Sequence, residues 1–97
     1  PDAVSTPELN VACAEGEHHA LIAQLGKTAQ FPGATDIIRI DGLRVEYPDG
    51  FGLARASNTT PVIVLRFEAD NDAALERIKS EFRRVLTVAK PGIALPF

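Results

Sequence analysis

Between Ile37 and Ala69 apolar and polar residues alternate, and two turn signals cut the run into pieces too short for helices. Asp41-Gly42 is the strongest two-residue hairpin signal, because a type I′ turn needs positive φ at both central positions. After it, Leu43, Val45 and Tyr47 alternate with Arg44 and Glu46. Pro48-Asp49-Gly50 is a second turn, in which proline presets φ and glycine tolerates the left-handed region. The strands this predicts are Ile37 to Ile40, Leu43 to Tyr47, Phe51 to Ala56 and Val62 to Ala69. In the last, Ile63, Leu65 and Phe67 share one face, and Arg66 and Glu68 the other. Connections this short force the neighbouring strands to run antiparallel.

The flanks supply what covers such a sheet. Pro1 to Pro7 mixes proline, serine and threonine and reads as a linker stub. From Glu8 to Ala14, Leu9, Val11 and Cys13 alternate with Asn10 and Ala12, a strand pattern. Glu15 to Gln30 reads as a helix with Leu21, Ile22 and Leu25 on its apolar side, stopped by Phe31-Pro32-Gly33. Asp70 or Asn71 caps a final helix, where Leu75, Ile78, Phe82, Val85 and Leu86 recur at helical spacing. Lys90-Pro91-Gly92 ends it, and the apolar tail Ile93 to Phe97 is expected to lie back on the fold. The order is β-α-β-β-β-β-α. Two amphipathic helices need one sheet face, so the expected architecture is an α+β two-layer sandwich with a mainly antiparallel sheet of four to five strands. Residues 8–97 are expected to form one domain.

Composition narrows the function. Ninety-seven residues, 45% hydrophobic and 24% charged, suit a small globular domain. No stretch approaches the roughly 20 apolar residues of a membrane span. A net charge of −3 argues against a general nucleic-acid binder. A single-stranded RNA reader with an open sheet would need exposed aromatics and a basic balance. Cys13 is the only cysteine, so no internal disulfide forms, in agreement with a cytoplasmic setting. The chain has no methionine and starts at Pro1, which reads as a piece of a longer protein.

One segment is not explained by packing. "RASNTTPV", residues 55–62, puts an arginine ahead of the small polar residues Ser57, Asn58, Thr59 and Thr60. Ser, Asn and Thr are turn formers, and on composition alone a plain turn and a ligand loop are both open. The segment is richer than a turn requires, and it lacks the glycine that the other turns use. Arginine offers a planar fork of fixed charge; hydroxyls, amide and successive backbone N–H groups can converge beside it. The ligand that wants many donors around one centre is a phosphate dianion. No base, nucleophile activator or metal ligand stands among these residues, so the loop reads as a cradle.

Arg-x-Ser-Asn-Thr-x-Pro resembles the phosphate-binding loop in the C-terminal, fourth domain of the α-D-phosphohexomutases. The run "DGLRVEYPDGFGLARASNTTPVIVLRFEAD", the helix segment "ERIKSEF" and the start "STPELNVAC" are similar to the same domain of bacterial phosphomannomutase/phosphoglucomutase. The likeness covers most of the chain and is weaker from Glu15 to Ala34. It implies phosphate contacts at Arg55, Ser57, Asn58 and Thr59, with Thr60 at the variable place. It implies a parent enzyme in which four domains surround a cleft and hexose 1- and 6-phosphates of mannose or glucose are interconverted through a bisphosphorylated sugar. A phosphoserine and Mg²⁺ do the chemistry there, with a hexose 1,6-bisphosphate as activator. The stretches for those roles are missing here: there is no Ser-His-Asn, and Asp41-Gly42 lacks the second aspartate of an Asp-Gly-Asp metal motif. This chain then grips the phosphate that is not transferred, with the phosphosugar and other domains of the same chain as its partners and no catalytic residue of its own. The competing reading is a stand-alone regulatory module binding a small anionic metabolite.

Other residues invite roles. His18-His19 beside Glu17 suggests a metal, but adjacent helical residues point about 100° apart, so a solvated helix face is expected. Arg66 is expected at the surface beside Glu68, Tyr47 and Phe51 to pack on each other across the turn, and Cys13 to be a small core hydrophobe.

Overall fold

A computed structural model describes residues 3–97, so only Pro1 and Asp2 of the expected linker stub lie outside the described residues. The chain forms β1 (Val4–Ser5), β2 (Leu9–Ala12), α1 (Glu17–Thr28), β3 (Asp36–Ile38), β4 (Leu43–Tyr47), β5 (Gly50–Ala56), β6 (Val62–Ala69) and α2 (Asp72–Ala89). All strand pairs are antiparallel, in the order β1-β6-β5-β4-β3, with β2 also on β6. The α+β two-layer sandwich is therefore the observed architecture, with six strands where four to five were expected.

The extra strand is β1, in the segment read as linker. Val4 pairs with Ala69 and Ser5 with Glu68, while β2 pairs with the other half of β6. Thr6 joins them: its N–H donates to the Phe67 carbonyl at 2.9 Å and its hydroxyl accepts from the Phe67 N–H at 3.2 Å. The segment from Val4 to Ala12 thus runs along β6 as one interrupted edge.

Strand alternation divides the sheet. Leu43, Val45, Tyr47, Ala54, Ile63, Leu65, Phe67 and Ala69 are buried against α1 and α2. The other face carries Arg44, Glu46, Phe51, Leu53, Arg66 and Glu68, none of them in the core cluster. Arg66 and Glu68 are exposed there, as expected. Tyr47 and Phe51 are not partners: Tyr47 stands opposite Gly50 and Phe51 opposite Glu46, on different faces. Phe51 instead lies beneath the Arg44 guanidinium, 4.0 Å from its ring centroid, and the Tyr47 hydroxyl donates to Glu81 on α2 at 2.8 Å.

Both helices begin for local reasons. At α2, Asn71 is the cap, its side-chain oxygen accepting from the Ala74 N–H at 2.8 Å. At α1, Gly16 takes φ +84°, which breaks the helix two residues later than the expected start at Glu15. The Glu17 carboxylate accepts from the Ala14 N–H at 2.9 Å and from Lys90 at 2.8 Å, tying the start of α1 to the end of α2. Phe82 of α2 lies 5.1 Å, centroid to centroid, from both Phe31 and Phe67. The tail returns as expected: Ile93, Leu95 and Phe97 pack on the core, with the Phe97 ring 5.3 Å from Phe67. Among the described residues no helix is long and apolar enough to cross a membrane.

Candidate functional site

The polar loop, residues 57–61, joins β5 to β6 and is held from three sides. Within it, the Ser57 N–H donates to the Val62 carbonyl at 3.0 Å. The Val62 N–H reaches the Thr60 carbonyl at 2.8 Å, a tight turn around Pro61 that its fixed φ favours. Just after β2, the Cys13 N–H donates to the Pro61 carbonyl at 2.8 Å. From α1, His18 Nε2 lies 3.1 Å from the Ser57 carbonyl oxygen.

Ser57 Oγ is the loop's focus. It accepts the backbone N–H groups of Thr59 and Thr60 at 3.2 and 3.3 Å, with the hydroxyls of Thr59 and Thr60 at 3.2 and 3.4 Å. The N–H and hydroxyl groups of Thr59 and Thr60 therefore converge on one point inside the loop. The centre of that point is the serine's own oxygen, an arrangement that Ser and Thr favour in tight turns.

Arg55 and Asn58 stand apart from this knot. Both are exposed, and both line a cavity of about 440 Å³ together with His19, Ile22, Asp41, Gly42 and Ala56. Among the described residues no hydrogen bond or ion pair engages the Arg55 guanidinium. The Asp41-Gly42 turn lines the same cavity. Asp41 has φ +57° and Gly42 φ +126°, both positive as expected, but β3 ends at Ile38 rather than Ile40 and Ile38 pairs with Arg44, so residues 39–42 form a connection longer than the expected two-residue turn. A Cβ at Gly42 would collide with the Ala54 carbonyl and Arg55 Cβ, so glycine is what lets the turn sit against Arg55. The cavity thus carries one guanidinium, one carboxylate and one imidazole.

Four of the expected site residues form a knot or line the cavity; Thr60 belongs to the knot through both its N–H and its hydroxyl. The expectation of a solvated His18-His19 pair fails at His18. It is only 4% exposed, while His19 is exposed and its ring centroid lies 4.2 Å away. Position 18 is three residues before Leu21 and seven before Leu25, on the same buried stripe, so helical spacing alone carried the signal. Cys13 is partly buried against the core, and burial, followed by the nearby Glu17 carboxylate, pushes its thiol pKa up. Among the described residues no three His, Cys, Asp or Glu side chains gather to hold a metal ion.

Residues 8–85 match the family described as phosphoglucomutase/phosphomannomutase, C-terminal domain. The chain belongs to that family. It is similar to a phosphoglucomutase of Neisseria meningitidis serogroup A, 58% identical over 97 residues, which cover 99% of this chain and 21% of that protein. A phosphomannomutase/phosphoglucomutase of Pseudomonas aeruginosa PAO1 is 50% identical over 97 residues, 100% of this chain and 21% of the relative. Among solved structures, a phosphoglucomutase/phosphomannomutase family protein from Burkholderia thailandensis superposes with a TM-score of 0.89 at 62% identity, covering 100% of this chain and 20% of that one. The chain spans about a fifth of the length of the relatives it matches.

Proposed function

We propose that this domain serves a cytoplasmic phosphohexomutase, interconverting the 1- and 6-phosphates of mannose or glucose through a bisphosphorylated intermediate. In this reading Arg55, Ser57, Asn58, Thr59 and Thr60 hold the phosphate that is not transferred. Holding it draws the domain across a cleft built with other domains of the same chain. The observation that carries the reading is the pairing of an unengaged Arg55 guanidinium with Asn58 in one cavity, beside a loop that Ser57 Oγ holds in shape through the Thr59 and Thr60 N–H groups.

The mechanism is positional. A substrate that binds in two opposite orientations needs a site that reads phosphate and ignores the sugar. A charged fork and backbone donors do that, because they answer the dianion alone. Closure would then exclude water and protect a phosphorylated enzyme from hydrolysis. The Mg²⁺ that such a reaction uses as a Lewis acid finds no ligand set among the described residues. In this proposal it belongs to the other domains, as does the group that carries the phosphoryl.

The test is a titration of the ¹⁵N-labelled chain with inorganic phosphate and with glucose 1-phosphate. Both should shift the amides of residues 54–61 alike, with affinity of about millimolar or weaker, near 4 kcal/mol. Arg55→Ala should abolish the response with the fold intact. Shifts that depend on the sugar, or that survive in Arg55→Ala, contradict the reading. Mutase turnover by these 97 residues alone would contradict the division of labour.

A further inference from the structure

Among the described residues His18 is the buried polar side chain of the core, and it reaches the loop at one atom. We propose that His18 is a positioning residue: by holding the Ser57 carbonyl inward it aims the Asn58 backbone N–H outward, as a donor to the bound phosphate. The proposal rests on the phosphate reading of the loop and adds to it a residue and a donor.

The geometry runs through one peptide plane. A carbonyl only accepts, so the His18 Nε2 at 3.1 Å must carry the hydrogen. In a neutral ring that sets the tautomer, with Nδ1 bare; Nδ1 is buried and has no partner. The Ser57–Asn58 peptide is trans, so its C=O and N–H point in opposite directions. With the carbonyl directed at a ring that is 4% exposed, the Asn58 N–H faces away from the core. It has no hydrogen-bond partner among the described residues, and Asn58 lines the cavity that Arg55 lines.

Ser57 leaves no slack on the other side. Its own N–H is fixed on Val62 and its Oγ on the amides of Thr59 and Thr60. The His18 bond is the one that locks the following plane. A ring present for packing alone would be interchangeable with leucine, since position 18 continues the stripe of Leu21 and Leu25.

Three measurements on the ¹⁵N-labelled protein decide this. Long-range histidine spectra should show His18 as the Nε2–H tautomer. Inorganic phosphate should shift the Asn58 amide strongly. His18→Leu should remove that shift and weaken phosphate binding about three- to tenfold, the worth of one neutral hydrogen bond. His18→Gln, whose amide can donate from a similar place, should keep binding within about twofold of the parent. An Nδ1–H tautomer overturns the proposal. So does a leucine variant that keeps the Asn58 response, or a glutamine variant that behaves like leucine. If phosphate moves no loop amide in the unaltered protein, the phosphate reading falls. The tautomer and the ¹⁵N relaxation of residues 57–60 in His18→Leu then decide the positioning role, and unchanged relaxation overturns it.

Discussion

Gly52 is the floor on which the Phe82 ring rests. A Cβ at Gly52 would overlap three atoms of that ring, although the strand itself is extended there and tolerates any residue. The glycine is present for the close approach of α2 to the centre of the sheet. Phe82 is fully buried and touches Phe31 and Phe67, so it has nowhere to retreat. Gly52→Ala should therefore destabilise by about 1–3 kcal/mol, the usual cost of overpacking a close-packed core. Thermal unfolding checks it: a midpoint lowered by about 4–8 °C per kcal/mol is expected for a chain of this size. A double variant, Gly52→Ala with Phe82→Leu, should recover part of the loss, because both changes act on one contact.

Tyr47 should make the domain sensitive to alkali. Burial first, and then its hydrogen bond to the Glu81 carboxylate, holds the phenol pKa far above its ordinary value of 10.0. The folded state keeps this proton where the unfolded chain gives it up. Stability from Tyr47 is thus complete below pH 10 and falls as pH rises beyond it. Tyr47→Phe should cost about 1–2 kcal/mol at neutral pH, from the lost hydrogen bond. It should also flatten the alkaline decline. Urea midpoints between pH 8 and pH 11, compared for both proteins, test this. Parallel curves would show that Tyr47 ionises freely.

At the acid end the sign reverses. Hydrogen bonds from Lys90, Arg77 and Lys79 are the leading cause that lowers the pKa values of Glu17, Asp49 and Glu76 respectively. Each carboxylate therefore adds stability above its unfolded value, 4.5 for glutamate and 3.8 for aspartate, and loses it as pH drops through the lower folded value. These groups sit in water, so salt should blunt the effect. Urea midpoints should hold steady down to about pH 5 and fall below it, more shallowly in 0.5 M salt. A decline that ignores salt would point to buried groups instead.

The central hairpins were legible because alternation and turn chemistry agree over many residues between Asp36 and Ala69. Val4–Ser5 was not, since two residues cannot display a period and Pro7 beside them signals a linker; its strand exists because β6 offers an edge. His18 was hidden by its residue type. Its spacing to Leu21 and Leu25 marks a buried position, but an ionisable side chain reads as solvated until a partner such as the Ser57 carbonyl is seen. The polar loop was plain from composition. What composition could not show was that Ser57 Oγ would gather its neighbours' amides, or that His19, Ile22 and Asp41, distant in the chain, would wall the cavity beside Arg55.

Asp41 supplies the sharpest electrostatic check on that cavity. It is the one carboxylate among the lining residues, which also include Arg55, and it opposes any anion that enters. It is there because its φ of +57° suits few residues, aspartate and asparagine being the commonest after glycine. Asparagine can thus replace it without disturbing the hairpin and removes only the charge. If the cavity takes phosphate, Asp41→Asn should tighten binding about two- to fivefold at low ionic strength, the scale of a unit charge several ångströms away in a wet site. The gain should shrink as salt is added. Amide-shift titrations with inorganic phosphate at two salt concentrations measure it, and thermal unfolding confirms that the turn is intact. Weaker binding in Asp41→Asn would mean that this carboxylate orients a donor, and the picture of a cavity governed by net charge would be wrong.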